Sequence, residues 1–194
     1  MIKKKIKVME HYSGKPPKCQ ICKETEIQFL SFDHIEGRKS IGHKRGFNGE
    51  KLAIWLIKNN FPKGFQILCM NCNCAKKFAF DLKPDPIKYK NRDEKRYYEG
   101  RKFHNAIKEN VLKFYSHDAN KPKCICCGKD RIEWLTIDHI NGSKENLVQN
   151  RIGGIKLYKW LMANNYPKGF ACLCYNCNFC KGKYGICPHN NITD

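Results

Sequence analysis

Two things are scarce in this chain: long apolar runs and acidic side chains. No stretch of its 194 residues approaches the roughly 18 consecutive apolar residues of a transmembrane helix, so no membrane partner is expected. The opening Met1-Ile2-Lys3-Lys4-Lys5-Ile6-Lys7 carries charge, but neither an apolar region nor a small-residue cleavage site follows it. A secretory leader is therefore not expected. Asp and Glu number 18 against 37 Lys and Arg, a net charge of +19. The excess is not held in a tail, because residues 1–87 have 17 basic and 8 acidic side chains and residues 88–194 have 20 and 10. An evenly basic protein most often meets a polyanion, with nucleic acid the commonest partner; a cationic surface kept for solubility is the alternative.

Cysteine, by contrast, is abundant, with 13 residues in the chain. Without a leader we expect a reducing, cytoplasmic setting, where C-x2-C pairs read as metal ligands rather than disulfides. The odd count agrees. Residues 19–76 and 124–181 align without a gap at an offset of 105, and 26 of the 58 positions are identical. The first copy reads Cys19-x2-Cys22, Asp33-His34-Ile35, Leu68-Cys69-x-Asn71-Cys72-Asn73 and Lys76. The second reads Cys124-x2-Cys127, Asp138-His139-Ile140, Leu173-Cys174-x-Asn176-Cys177-Asn178 and Lys181. A repeat of this size predicts two small domains, each burying too little apolar surface to be comfortable without a metal staple.

The patterning predicts an α+β chain. Phe103, Ile107, Val111 and Tyr115 recur every four residues as an amphipathic helix, with Ile2, Ile6, Met9 and Tyr12 as the shorter equivalent. Strand-like runs over 27–32 and 132–137 end at the Asp-His pairs. Short helices follow over 51–60 and 156–165, with Trp55 and Trp160 on their core faces, and Asn60 and Asn165 are suited to end them in the left-handed conformation. Pro62-Lys63-Gly64 and Pro167-Lys168-Gly169 turns lead into a second strand, which delivers the second cysteine pair to a final helix. The boundaries expected are a first module over 1–82, a charged, helical connector over 83–102 and a second module over 103–194.

Two C-x2-C knuckles converging on one ion form a closed tetrahedral zinc site. Cys19, Cys22, Cys69 and Cys72 would hold one structural Zn²⁺, and Cys124, Cys127, Cys174 and Cys177 the other. Cys74, Cys126, Cys172, Cys180 and Cys187 are not repeated and read as small hydrophobes. A partial extra site from Cys180, Cys187 and His189 is the alternative, in a tail that the first copy lacks.

The stretch D-H-I-x-G, then W-L-x2-N-N-[FY]-P-K-G-F, then L-C-x-N-C-N-x2-K, resembles the HNH, or His-Me finger (ββα-metal), endonuclease superfamily. The likeness is to its zinc-bound treble-clef branch, which includes recombination endonuclease VII and phage HNH enzymes, here in tandem duplicate. It covers nearly all of each copy. It implies two zinc-stapled ββα-metal modules in which His34 and His139 are general bases. Asp33 with Asn73, and Asp138 with Asn178, would each hold one catalytic Mg²⁺ or Mn²⁺. The chemistry agrees, since an imidazole with a pKa near 6.5 can take a proton from water at neutral pH, and a hard cation held by few protein oxygens leaves room for phosphate. Lys76 and Lys181, one turn beyond each Asn, are placed to reach a phosphate, and Arg45 and Arg151 to clamp one.

Three points stay open in the sequence. Adjacent strand residues face opposite ways, so Asp33 and His34 share a site only if the strand bends or ends there. Many family members brace the base with an Asn where Gly64 and Gly169 stand; Asn59, Asn60, Asn164 and Asn165 are substitutes, although helix capping is their expected work. His43, with no counterpart in the second copy, reads as part of a solvated basic loop. The expectation is a metal-dependent endonuclease cutting both strands of duplex DNA, a monomer acting as a pseudo-dimer. A non-catalytic zinc protein that binds nucleic acid, or a nickase with one live module, are the alternatives.

Overall fold

The computed structural model describes residues 2–44, 46–79, 92–140 and 152–190. The chain divides into two compact units, Met1–Lys77 and Phe78–Asp194. Both combine helices with a two-stranded antiparallel sheet. No helix among the described residues is long and apolar enough to cross a membrane.

Unit one runs α1 (Ile2–Ser13), β1 (Leu30–His34), α2 (Gly49–Lys58), β2 (Phe65–Cys69) and α3 (Met70–Ala79). Unit two runs α4 (Arg92–Tyr115), β3 (Leu135–His139), α5 (Ile155–Ala163), β4 (Phe170–Cys174) and α6 (Tyr175–Tyr184). The pairing registers correspond residue by residue. Leu30 lies opposite Cys69 and His34 opposite Phe65 in one; Leu135 opposite Cys174 and His139 opposite Phe170 in the other. Each hairpin thus carries its Asp-His pair at one end and a zinc-type cysteine at the other.

Most of the apolar stripe residues whose burial is described lie in or against a core, and Phe103 does not. Val8, Leu52, Ala53, Leu56 and Phe65 form the core of unit one, and Tyr12, Phe32 and Trp55 pack against it. In unit two Ile107, Val111, Tyr115, Leu157, Leu161 and Phe170 are buried, but Phe103 is 58% exposed, with Lys159 Nζ over its ring at 5.6 Å. The helical stripe extended one turn past the core. Full burial of one such side chain is worth about 1.5–3 kcal/mol, so a handful per unit holds the helix against its hairpin without leaving much in reserve.

The two opening helices dock by the same contacts. Tyr12 Oη donates to the Pro62 carbonyl at 2.7 Å and Tyr115 Oη to that of Pro167 at 2.8 Å. His11 stacks on Phe61, and Phe114 on Tyr166. Those contacts depend on a tight turn after each middle helix, where Asn60 and Phe61, like Asn165 and Tyr166, take φ of 53–54°. Asn is among the few residues that adopt this region readily. The capping roles fall one residue earlier than their left-handed neighbours: Asn59 Nδ2 donates to the Trp55 carbonyl and Asn164 Nδ2 to that of Trp160, both at 2.8 Å.

Two boundaries differ from the sequence reading. The strands begin at Leu30 and Leu135 rather than at residues 27 and 132, because Ile27–Phe29 and Ile132–Trp134 fold into turns; Phe29 N donates to Glu26 O at 2.9 Å and Trp134 N to Arg131 O at 2.8 Å. Helix α4 runs unbroken from residue 92, within the expected connector, to Tyr115, all of it inside unit two. Residues 83–91 of that connector lie outside the described residues.

Candidate functional site

The loop before the first strand, the open end of the hairpin and the last helix of each unit meet at a cysteine quartet. Cys19, Cys22, Cys69 and Cys72 converge in unit one, and Cys124, Cys127, Cys174 and Cys177 in unit two, each set with its sulfurs within 4.8 Å of one another. Zinc–sulfur bonds of about 2.3 Å put the sulfurs of a tetrahedron about 3.8 Å apart. Cys22 and Cys69 are 3.5 Å apart, Cys127 and Cys174 3.8 Å, and Cys174 and Cys177 3.4 Å. The sulfurs therefore fit a zinc ion, and each quartet could hold one. Hydrogen bonds from Cys69 and Cys72 hold the Cys19 thiol far below its ordinary pKa, and those from Cys127, Cys174 and Cys177 do the same for Cys124. The same contacts raise the pKa values of Cys69, Cys72, Cys174 and Cys177, so a cation would have to displace their thiol protons on binding.

From this anchor β1 runs to the Asp-His pair and α3 runs alongside it. The two faces of β1 do different things. Ser31 and Asp33 turn toward α3, where Asn73 Nδ2 donates to Ser31 Oγ at 3.1 Å and Lys76 Nζ sits 3.0 Å from Asp33 Oδ2. The Lys76 ammonium also donates to the carbonyls of His34 at 3.1 Å and Ile35 at 2.7 Å. Gln66 Nε2 completes the Asp33 environment at 2.8 Å. Unit two repeats the lysine contacts, with Lys181 Nζ 2.5 Å from Asp138 Oδ2 and 2.9 Å from the Ile140 carbonyl, while Ala171 stands in the place of Gln66.

His34 faces the other way, into the core. It is 7% exposed, with its ring 4.9 Å from that of Phe65. Its Nε2 lies 2.9 Å from His43 Nδ1, and His43 is held edge-on against Trp55 with ring centroids 4.5 Å apart. This corrects the reading of His43 as part of a solvated loop: the residue is the polar partner of His34. The signal for it lay in the neighbouring aromatics Phe47 and Trp55, which needed something flat to pack on. Burial, followed by the nearby positive charge of His43, lowers the His34 pKa below 6.5, so the ring is held neutral at pH 7.

The ordinary strand alternation thus survives to the end of β1, and the Asp33 carboxylate and His34 ring sit on opposite faces. The strand stops there, since Gly37 N donates to the His34 carbonyl at 3.1 Å and Gly37 takes φ of 83°. Gly64 and Gly169, in the place of a bracing Asn, serve through their backbones: their carbonyls accept from Ile35 N at 3.0 Å and Ile140 N at 2.9 Å. Asn59 and Asn164 make helix caps, as above.

In unit two His139 packs on Phe170 at 4.8 Å, and its buried Nε2 has no hydrogen-bond partner among the described residues. Position 148, which aligns with His43, lies outside the described residues together with Arg151; so does Arg45. The structure gathers three more ligands around Cys177, namely Cys126, Cys187 and His189. Cys180, expected beside Cys187 and His189, is buried but does not belong to that group.

Among the described residues no third Asp, Glu, His or Cys joins Asp33 or Asp138 to make a metal cluster. One carboxylate and one amide oxygen per unit are the available hard donors. That is few, but Mg²⁺ is commonly held by one or two carboxylates plus substrate phosphate and water. With Nδ2 committed to Ser31, the Asn73 side chain has its oxygen left for a cation. No protein-family model, curated protein or solved structure matches the chain.

Proposed function

We propose that the protein is a metal-dependent DNA endonuclease built from two ββα-metal modules, each stapled by a zinc ion in its cysteine quartet. The observation that carries this reading is the duplication of one arrangement: an Asp-His pair closing the first strand, opposite an Asn and a Lys one helical turn apart, on a helix anchored by four cysteines. Packing does not require the Asp, Asn and Lys to recur in both copies, since Asp33, Asn73, Lys76, Asp138, Asn178 and Lys181 are only half-buried. The basic charge of both halves suits a duplex phosphate backbone.

Within this reading His34 donates Nε2–H to His43 Nδ1, which leaves its own Nδ1 to accept a proton from the attacking water once the end of β1 bends to bring the ring to the Asp33 face; its lowered pKa keeps it in the accepting form. His139 does the same in the second module. Asp33 and Asn73, with Asp138 and Asn178, are the residues that would hold Mg²⁺ or Mn²⁺. That cation would stabilise the charge developing on the non-bridging and leaving oxygens. Lys76 and Lys181 neutralise the aspartates in the absence of a cation. They sit one turn from the Asn, close enough to turn to a phosphate when a cation displaces them.

A second reading, a zinc protein that binds nucleic acid without cutting it, is favoured by the same two ion pairs and by the burial of His34. A carboxylate already satisfied by lysine needs no metal. Supercoiled plasmid with Mg²⁺ or Mn²⁺ separates the two. Linear product from the wild type, with nicked circles from His34→Ala and from His139→Ala and no product from the double variant, is the expected result. Zinc-loaded, folded protein that shifts DNA in a gel and leaves it intact would establish the binding protein instead.

A further inference from the structure

Unit two contains a group of ligands that unit one does not. Cys126 Sγ, Cys177 Sγ, Cys187 Sγ and a ring nitrogen of His189 all lie within 4.8 Å of one another. His189 Nδ1 is 3.3 Å from Cys177 Sγ and 3.3 Å from Cys187 Sγ. Around a zinc ion, bonds of about 2.3 Å to sulfur and about 2.0–2.1 Å to nitrogen put those atoms roughly 3.6 Å apart. Three cysteines and one histidine form a common closed zinc set. Cys177 belongs at the same time to the quartet of Cys124, Cys127 and Cys174.

We propose that unit two carries a second zinc ion, bound by Cys126, Cys177, Cys187 and His189, and that the Cys177 thiolate bridges it to the ion of the quartet. A thiolate has lone pairs for two metals, so sharing one ligand gives both ions four-coordination from seven side chains. Filling the second site displaces the thiol protons of Cys126 and Cys187, while His189 binds as a neutral imidazole through Nδ1. Six thiolates against two divalent ions leave a net charge of −2 on the centre.

The contrast with the first unit supports this. The position equivalent to Cys126 is Ile21, which is exposed, and the first copy has no segment corresponding to Cys187-Pro188-His189. Both added elements meet at one point. Cys187 is buried, and the turn Pro188–Asn190 packs against α6. The ion would fasten this tail beside the hairpin. Cys126, Cys177 and Cys187 line a groove together with Asp138, Ile140 and Lys181. The second ion would therefore form a fixed wall of the pocket holding the Asp138–Lys181 pair, and unit one has no equivalent of it.

Native mass spectrometry of the whole zinc-saturated chain should count three zinc ions. Cys187→Ser, His189→Ala and Cys126→Ser should each count two, with the far-ultraviolet circular dichroism retained. Replacing zinc by ¹¹³Cd in the wild type should give three resonances, two of them split by mutual coupling through the shared sulfur and one unsplit. Two ions in the saturated wild type, three in all three variants, or three unsplit cadmium resonances would each overturn the proposal. So would a wild-type chain two hydrogens lighter with two ions, which would mean a Cys126–Cys187 disulfide. The plasmid result is independent of this count.

Discussion

In unit one the imidazole of His34 meets a second imidazole, that of His43, at 2.9 Å. In unit two the corresponding atom, His139 Nε2, is buried without a partner among the described residues. At the opposite end of the frame the contrast is reversed: among the described residues no further ligand joins the quartet of unit one, and that of unit two borders three. The shared parts are the registers, the aspartate–lysine pairs and the docking of the opening helices. Duplication kept what the hairpin and helix need to stand together. The surroundings of the histidine and of the zinc-type ligands have diverged, and a protein reading an asymmetric target would need differences of that kind.

The largest expected effect breaks the frame itself. Structural zinc contributes about 10–16 kcal/mol of apparent binding free energy in small zinc folds, and that energy is folding energy. Cys69→Ser should therefore unfold unit one, with loss of its part of the circular dichroism signal, and Cys174→Ser should unfold unit two. If either unit kept its structure with its quartet broken, the hydrophobic core would be sufficient and the staple redundant. Loss of a proposed general base is the next largest effect. His34→Ala and His139→Ala should each lower cleavage of one strand by about 10²–10⁴, read as the accumulation of nicked circles. Equal losses would mean that the two histidine environments, so different in structure, are equivalent in use.

A smaller effect tests the lysines. Lys76 and Asp33 are partly screened, with side-chain exposures of 28% and 12%, and such pairs are worth at most about 1 kcal/mol. Lys76→Met should remove a competitor for Asp33 and lower the Mg²⁺ concentration for half-maximal cutting a few-fold, measured in the His139→Ala background. An unchanged or raised requirement would mean that the ammonium does not compete with the cation.

Much of this frame is legible in the sequence because repetition filters it. The quartets, the Asp-His ends, the middle helices and the final helices all lie in residues that the two copies share. The errors fall where the copies differ or where periodicity is ambiguous. Phe103 matches the stripe of α4, but the stripe cannot say where the core ends. Residues 27–29 and 132–134 are apolar enough for a strand, yet their carbonyls close turns before the ladder begins. His43 has no counterpart to mark it, and only its distance to His34 across the fold gives it meaning. Cys126 and Cys187 are 61 residues apart, and no local spacing brings them together. Ligands shared by a knuckle and a tail require the tertiary structure.

The smallest effect is also the most specific to the histidine pair. The His34 pKa is lowered first by burial and second by the charge of His43. A base whose pKa is depressed stays neutral to lower pH, so in the His139→Ala background the acid limb of cleavage should fall below pH 6.5. The same shift makes unit one less stable as the pH falls below 6.5, because the unfolded chain binds the proton that the folded one resists. Replacing His43 by Leu removes the neighbouring charge and keeps an apolar side chain in the contact. The limb should then move up in pH without reaching the ordinary histidine value, since burial, the larger cause, remains. A limb that did not move would mean that His43 only fills space beside Trp55; one that returned fully to the ordinary value would mean that the Leu variant had opened His34 to water.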